Sequence, residues 1–203
     1  MKCKVIAITG QIGSGKSTVG KYLVQKGYSV IDCDSLSRIA STLPDVQQRV
    51  VCLLGKDSVV NGNLNRTYIR QLIFSDDNLY SQYNQIFLDK IKSLLTTAVD
   101  DLACQQGKNL VFVEIPLIDA FSYNWDEVVL VTSPQSQRIQ RVTLRDGVDA
   151  SDVENISNRQ NYVTQPTVTI NNDGSLDALF AKIDKLLQNL QSNLIKTFDI
   201  VAC

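Results

Sequence analysis

The sequence contains no histidine among its 203 residues, and it has only one tryptophan and one methionine. Without an imidazole, Ser-His-Asp and Cys-His catalysis are excluded, together with any zinc site that needs histidine. The five cysteines are scattered, and no two of them form a Cys-x-x-Cys pair; they are Cys3, Cys33, Cys52, Cys104 and Cys203. This pattern predicts reduced cytoplasmic thiols that mostly fill the core, and it predicts neither disulfides nor thiolate metal sites.

Long apolar runs are also missing. The run near the N-terminus, VIAIT at 5–9, is too short for the hydrophobic region of a signal peptide, and no stretch approaches the roughly eighteen apolar residues of a membrane-spanning helix. The net charge of −1 gives no overall positive field that would favour nucleic acid. We therefore expect a cytoplasmic protein that binds neither nucleic acid nor membranes and is a monomer or a weak homo-oligomer.

Short apolar runs rich in β-branched residues predict the strands. They lie at 5–9, 29–31, 110–115, 127–132 and 167–170. Their apolarity is continuous rather than alternating, which favours a parallel sheet that is buried on both faces. Helical patterns separate most of these runs, as at 17–26 and from Leu176 to Leu194. This alternation predicts an α/β fold with a doubly wound, five-stranded parallel sheet.

The interval between Pro44 and Gly107 breaks the alternation of strands and helices. It shows helix-like patterns and no convincing strand, and it is far longer than the dozen or so residues of a minimal crossover. We interpret residues 60–108 as a helical lobe inserted into a core formed by 1–59 and 109–203, within one domain. Composition alone also allows a few packed helices without a role in ligand binding.

A phosphate-binding loop follows the first predicted strand at once. Residues 10–18 read GQIGSGKST and fit the pattern G-x-x-x-x-G-K-[ST] between a strand and a helix. Glycines let successive N–H groups turn inward around phosphate oxygens, and the N-terminus of the following helix adds positive charge. Lys16 suits the outer phosphates of ATP, and the Ser17 hydroxyl suits Mg²⁺. The predicted nucleotide-binding residues here are Gln11, Ile12, Gly13, Ser14, Gly15, Lys16, Ser17 and Thr18.

Two carboxylates, Asp32 and Asp34, end the second predicted strand. They could simply cap and solvate the end of that strand. The carboxyl ends of parallel strands meet at the ligand-binding edge of the sheet, however, so both side chains are expected near the phosphates. A carboxylate there could accept a proton from an attacking hydroxyl group. We therefore favour a catalytic function for this pair.

An arginine cluster follows the fourth predicted strand. Arg138, Arg141 and Arg145 are spaced three and four residues apart, so they share one face of a helix. Guanidinium groups stabilise the negative charge that spreads over the oxygens of a transferred phosphoryl group. The alternative is a solvated surface helix with Asp146, Asp149 and Asp152 as counterions. We favour a phosphate-binding lid at 135–160.

The remaining signals favour a kinase of small molecules. The N-K-x-D and D-x-x-G motifs of GTPases are absent, and so is the LSGGQ signature of transporters. An early phosphate loop, a helical lobe and a late arginine cluster in a small chain are the arrangement of segments expected of such a kinase. Two other readings stay open: a nucleoside-monophosphate kinase, and a nucleotide-binding module without catalysis.

Several segments together resemble the dephospho-coenzyme A kinase family. ITGQIGSGKSTVGKYLVQKGYSVIDCDSLSR resembles the start of these enzymes, and NGNLNRTYIRQLIFSDD resembles their D-G-x-L-x-R…F-x-D segment. VEIPL resembles their V-P-L-L segment, the stretch 137–146 resembles their lid, and INNDGS resembles the stretch after their last strand. The family's His-Pro pair is missing, and Ala120 stands where the family has an acidic residue.

The resemblance implies a fold of the phosphate-loop kinase type and transfer of the γ-phosphate of ATP, with Mg²⁺, to the ribose 3′-hydroxyl of dephospho-coenzyme A. It implies Asp34 as the catalytic base and Asp32 as a support for orientation or for magnesium-bound water. Arg141 would clamp the transferred phosphate with help from Arg145, and the stretch from Asn171 to Gly174 would pass near adenine. The residues expected to contact the acceptor are Thr9, Asp32, Arg66, Pro116 and Leu117.

Overall fold

The structure, a computed structural model, describes residues 3–73, 76–106, 109–160 and 165–201. Its strands are Lys4–Thr9 (β1), Ser29–Asp32 (β2), Val59–Val60 (β3), Asn63–Leu64 (β4), Leu110–Glu114 (β5), Glu127–Thr132 (β6) and Val168–Asn171 (β7). Five of them form one parallel sheet in the order β2-β5-β1-β6-β7. The predicted five-stranded parallel sheet is therefore confirmed.

Helices connect the strands and cover both faces of this sheet. They are Lys16–Gln25 (α1), Cys33–Thr42 (α2), Pro44–Leu54 (α3), Arg66–Ile73 (α4), Asp77–Gln106 (α5), Gln135–Asp146 (α6), Ala150–Arg159 (α7) and Leu176–Val201 (α8). Short 3₁₀ turns lie at Lys56–Ser58 and Ile118–Ala120. This doubly wound arrangement buries the side chains that the strands place on each of the two faces of the sheet.

Each strand sends alternate side chains to opposite faces, so neighbouring residues of β1 belong to different hydrophobic clusters. Val5 and Ala7 pack with Leu95 of α5 on one face, and Ile6 and Ile8 pack with α1 and α8 on the other. Each cluster holds fourteen buried side chains, so neither face is left as a solvated surface. This explains why the strands read as continuous apolar runs rather than as alternating ones.

The prediction that 44–107 contains no strand is wrong in one detail. Strands β3 and β4 form a small antiparallel hairpin, in which Val60 pairs with Asn63 across a two-residue turn. The turn residues Asn61 and Gly62 both have positive φ angles, 51° and 72°. Asn-Gly is the preferred pair for such a turn, because both residues tolerate the left-handed conformation. The sequence signal for the hairpin was therefore present.

The helices between β2 and β5 build a third group of buried residues, called here the lobe cluster. It consists of Val46, Val50, Leu54, Ile69 and Ile86. Helix α5 contributes to this cluster near its start and to the sheet cluster farther along. Despite its 30 residues, neither α5 nor any other helix that the structure describes is apolar enough to cross a membrane.

The cysteines divide into two buried and two exposed residues. Cys3 and Cys33 are buried, as expected for thiols that fill the core, whereas Cys52 and Cys104 are exposed, so the prediction is wrong for those two. All four are free thiols. Cys52 lies on α3 and Cys104 on α5, each at an exposed position of its helix. Cys203 lies outside the described residues.

Candidate active site

The phosphate loop connects the buried strand β1 to helix α1. The helix begins at Lys16, so its N-terminus lies directly at the loop, where it favours an anion. Gly10 approaches the Val131 carbonyl group of β6 so closely that a Cβ atom at this position would collide with it. Only glycine allows this approach, which fixes the beginning of the loop against the neighbouring strand.

Lys16 lies at the centre of the site. Its Nζ atom donates to the carbonyl oxygens of Gly10 at 2.7 Å and Gln11 at 3.4 Å. Burial lowers the pKa of this ammonium group, the carboxylates of Glu114 and Asp34 oppose that effect, and the charge of Arg145 adds to it. These couplings place two carboxylates and one guanidinium group within electrostatic reach of the lysine.

Glu114 is a site residue that the sequence interpretation missed. The Ser17 hydroxyl donates to its Oε1 atom at 2.7 Å, which joins the end of β5 to the start of α1. Burial raises the pKa of Glu114, although the hydrogen bond from Ser17 and the charge of Lys16 oppose that rise. The available signal was the position of Glu114 at the end of β5, because the ends of parallel strands meet at one edge.

The two aspartates lie in different positions and make different contacts. Asp32 caps α2: its carboxylate accepts from the N–H groups of Asp34 and Ser35 at 3.0 and 3.2 Å and from the Ser35 hydroxyl at 2.6 Å. Arg38 completes this group at 3.4 Å. The capping alternative therefore describes Asp32 well.

Asp34 lies in the first turn of α2, and its carboxyl group is not part of the cap. Burial raises its pKa, and the charge of Asp32 raises it further. Lys16 and Arg38 act in the opposite direction. A carboxylate with a raised pKa beside the lysine of a phosphate loop has the properties of a general base.

The three lid arginines have different environments. Arg138 is buried and donates to the Ser157 hydroxyl of α7 at 2.8 Å, to the Ser133 carbonyl at 3.2 Å and to the Ile12 carbonyl at 3.4 Å. It therefore connects both lid helices to the phosphate loop. The sequence predicted a phosphate-binding role for the three arginines together, and spacing alone does not reveal which member of a helical cluster is buried.

Arg141 and Arg145 lie on the same helix, α6, but differ in their partners. Arg141 donates to the Gly13 carbonyl at 3.4 Å and to the Asn172 carbonyl at 3.2 Å, so it lies against the loop. Arg145 forms a two-pronged ion pair with Asp146, with both distances 2.7 Å. The counterion alternative thus holds for Arg145 here, although its charge reaches Lys16.

The end of α7 also contacts the phosphate loop. The Ile12 N–H group donates to the Gln160 side chain at 2.7 Å, and the Gln11 side chain donates to the Ser157 carbonyl at 3.4 Å. A cavity of about 290 Å³ lies beside these contacts, between the loop and the end of β6. Its lining includes Ser14, Thr132 and Arg138.

The segment after β7 approaches the loop from the other side. Asn171 accepts a hydrogen bond from the Thr132 hydroxyl at 2.6 Å, and its carbonyl group accepts from Lys182 at 2.6 Å. Its neighbour Asn172 is buried and donates to the Ser14 carbonyl at 2.8 Å. The second asparagine, rather than the first, therefore makes the direct contact with the phosphate loop.

The expected acceptor residues fall into two groups. Thr9 is the last residue of β1, and Pro116 follows the end of β5. Thr9 is 2% exposed, and its hydroxyl group has no hydrogen-bond partner among the described residues. Leu117 is 49% exposed beside them. Arg66 lies on α4 in the inserted region instead, where its charge opposes the rise that burial causes in the pKa of Tyr83.

Comparison with known proteins assigns this arrangement to a family. The family model described as dephospho-CoA kinase matches residues 4–178. The chain belongs to the dephospho-CoA kinase family. Curated dephospho-CoA kinases are similar over nearly the whole chain: one from Thermus thermophilus is 31% identical and covers 92% of this chain and 91% of its own. One from Streptococcus mutans is also 31% identical and covers 93% of this chain and 98% of its own. One from Fusobacterium nucleatum is 26% identical and covers 94% of this chain and 100% of its own.

Solved structures share the fold of this chain. A crystal structure of a Thermus thermophilus protein matches with a TM-score of 0.80 and 30% identity and covers 94% of this chain and 99% of its own. A dephospho-CoA kinase from Campylobacter jejuni matches with a TM-score of 0.67 at 18% identity, over 93% and 98%. The second likeness shows the fold. The resemblance inferred from the sequence segments is thus confirmed, and members of the dephospho-CoA kinase family transfer phosphate to a hydroxyl group.

Proposed function

We propose that this protein transfers the γ-phosphate of ATP to the ribose 3′-hydroxyl group of dephospho-coenzyme A. The observation that carries the proposal is the convergence of Lys16, Ser17, Asp34 and Glu114 at one edge of the sheet, beside a glycine-rich loop. Family membership gives the acceptor, and the site gives the groups that the reaction needs.

Asp34 would accept the proton of the attacking hydroxyl group. An alcohol is a weak nucleophile, so a carboxylate within hydrogen-bond reach helps to remove its proton as the bond to phosphorus forms. The raised pKa of Asp34 improves this match, because it brings the basicity of the carboxylate closer to neutral pH. Asp32, which holds the first turn of α2, would keep Asp34 in position.

Lys16 and the lid arginines would stabilise the transferred phosphoryl group. The Nζ atom of Lys16 donates to two carbonyl groups of the loop and would turn to the outer phosphates when ATP binds. Arg141 would act as a clamp, and Arg145 would support it after leaving Asp146. Exchange of a solvent-exposed ion pair for a phosphate contact requires little free energy, because such pairs stabilise weakly.

The residues around Ser17 fit a magnesium ion bound together with ATP. Mg²⁺ prefers oxygen ligands and usually takes one or two from the protein, with phosphates and waters supplying the rest. The Ser17 hydroxyl and the Glu114 carboxylate lie 2.7 Å apart and supply such oxygens. The part of the chain that the structure describes contains no cluster of three acidic or thiol side chains that could bind a metal alone. Bound Mg²⁺ would neutralise charge on the phosphates.

The remaining contacts belong to the same proposal. Asn171 would lie near adenine, Thr9 and Arg66 would contact the acceptor, and Pro116 with Leu117 would line its pocket. The division into a core, a lobe at 60–108 and a lid at 135–160 would let the lobe bind the pantetheine arm and exclude water. A cytoplasmic location, a monomeric or weakly associated state and the absence of a nucleic-acid partner stay predictions.

A coupled ATPase assay with dephospho-coenzyme A as acceptor tests this function. The wild type should turn over, and Asp34→Asn should lower kcat by about 10²- to 10⁴-fold, because the variant keeps the shape but loses the base. ATP binding should persist in the variant. Asp177→Asn makes the same chemical change on an exposed turn of α8 and should leave kcat unchanged.

The outcomes of the assay separate the proposal from its alternatives. If the protein phosphorylated a nucleoside monophosphate and not dephospho-coenzyme A, the proposed function would be wrong and the protein would be a nucleoside-monophosphate kinase. ATP binding without turnover of any acceptor would favour a module without catalysis. Full activity of Asp34→Asn would remove this residue from the role of base while leaving the reaction in place.

A further inference from the structure

Side chains from outside the phosphate loop bind three of its carbonyl groups in succession. The Ile12 carbonyl accepts from Arg138 at 3.4 Å, the Gly13 carbonyl from Arg141 at 3.4 Å and the Ser14 carbonyl from Asn172 at 2.8 Å. The Asn172 contact is the shortest of the three. Its donor is a neutral amide that would make no charge contact with a phosphate.

Asn172 is itself held rigidly. It is 7% exposed, and its N–H group donates to the Thr132 carbonyl of β6 at 2.7 Å. Its own carbonyl group accepts from Arg141 at 3.2 Å. A Cβ atom on Gly15 would collide with the Asn172 amide, and Gly15 has a φ angle of 101° that favours glycine in any case. The close contact therefore depends on residues from both segments.

The hydrogen bond to the Ser14 carbonyl fixes the orientation of a whole peptide group. A trans peptide points its C=O and N–H groups in opposite directions, and the described residues contain no cis bond. Since the Ser14 carbonyl points toward the Asn172 amide, the N–H group of Gly15 points away from Asn172. Inward N–H groups are what a phosphate loop uses to bind an anion.

We propose that Asn172 is a positioning residue for phosphoryl transfer, which orients the Ser14–Gly15 peptide group toward the phosphates and holds Arg141 through its carbonyl group. The proposal rests on the proposed function only in requiring that the site bind ATP; it does not depend on the acceptor. It also assigns Asn172 a role distinct from adenine recognition, which is the role expected for the stretch from Asn171 to Gly174 as a whole.

The test compares ligands that contain different parts of ATP. Asn172→Ala removes the amide donor without adding charge, and Asn172→Asp keeps the shape of the side chain; the exposed residue Asn189 of α8 supplies the control variant Asn189→Ala. Binding of ATP, of magnesium tripolyphosphate and of adenosine is measured by titration calorimetry. Thermal unfolding of each unliganded variant checks that it is folded.

Loss of the Asn172 amide should weaken ATP and tripolyphosphate by a similar factor, about ten- to a hundredfold, because a buried carbonyl loses its donor and the loop loses its orientation. Adenosine binding should be unchanged. In the kinase assay, KM for ATP should rise because the loop loses the support of its Ser14–Gly15 peptide group, while KM for the acceptor should stay constant. Arg141 donates to the main-chain carbonyl of residue 172, which every variant keeps, so the comparison isolates the side-chain amide. Asn189→Ala should match the wild type throughout.

Two results would overturn the proposal. Weaker binding of adenosine with unchanged binding of tripolyphosphate would show that Asn172 recognises the base. Unchanged affinity of both folded variants for tripolyphosphate would show that the loop needs no such support. A wild type that binds ATP and tripolyphosphate but rejects dephospho-coenzyme A would refute the proposed acceptor alone, and the comparison of variants would still decide the role of Asn172.

Discussion

At the scale of single residues, the pair Asp32 and Asp34 predicts a measurable pH dependence. Burial raises the pKa of Asp34 and the charge of Asp32 raises it further, so Asp34 needs a higher pH to ionise than an ordinary aspartate does. If ionised Asp34 is the base, kcat/KM should rise with pH as this group loses its proton. The acid limb of the profile should therefore lie above the ordinary aspartate pKa of about 3.9.

Asp32→Asn should move that acid limb to lower pH, because it removes the negative charge beside Asp34. Asparagine caps a helix about as well as aspartate, so α2 should keep its first turn. The measurement is kcat/KM against pH for both proteins, with Asp177→Asn as a control for loss of a distant charge. An unmoved limb, or one moved to higher pH, would contradict the assignment of this limb to Asp34.

At the scale of secondary-structure elements, Arg138 connects α6, α7 and the phosphate loop. Its guanidinium group is buried with bonds to Ser157, Ser133 and Ile12, so Arg138→Met should lower the free energy of unfolding by about 2–3 kcal/mol. Methionine keeps most of the apolar stem. The loss should come from the buried partners that are left without a donor.

Denaturant unfolding of Arg138→Met, with Arg49→Met as the control, checks this prediction. Arg49 also pairs with another side chain, at 3.1 Å from Asp89, but half of its side chain is exposed. An exposed ion pair of this kind stabilises by about 1 kcal/mol or less, so the control should unfold near the wild type. Equal losses in the two variants would show that the position of Arg138 between the lid helices has no special effect.

Features that depend on neighbouring residues could be predicted from the sequence, whereas contacts between distant residues could not. The phosphate loop and the strands could be predicted, because each depends on residues that are close together in the chain. The Asn-Gly turn of β3 and β4 was equally local, but it was overlooked within a helical region. The partners of Glu114 and Asn172 could not be predicted from local patterns, because Ser17 and Ser14 lie 97 and 158 positions away.

The same reasoning applies to the arginine cluster. A spacing of three and four predicted a shared helical face correctly, yet the three residues differ in burial and in partners. Arg138 is buried because α7 folds back over α6, whereas Arg145 remains near solvent beside Asp146. Which arginine contacts the loop therefore depends on the packing of a second helix, and no periodicity in α6 contains that information.

At the scale of the whole molecule, α5 links two separate groups of buried residues. Ile86 belongs to the lobe cluster, and Ile91, Leu95 and Val99 belong to the cluster on one face of the sheet. Among the described residues, the lobe cluster has five buried members, against fourteen in each sheet cluster. Since stability within a protein follows the amount of buried contact, the lobe should open more readily than the sheet.

Val50→Ala should therefore destabilise the helices around the lobe cluster and leave the sheet clusters unchanged. Val50 is fully buried in α3, and the loss of two buried methyl groups should lower the local free energy of opening by about 1–3 kcal/mol. Amide hydrogen exchange should accelerate in α3, α4 and the start of α5 and stay slow in β1, β5 and β6. Val111→Ala, the same change at a fully buried position of β5, should accelerate exchange in the sheet as well. Equal acceleration of sheet and lobe amides by Val50→Ala would show that the two open as one unit, and the inserted helices could then not close over a substrate independently of the sheet.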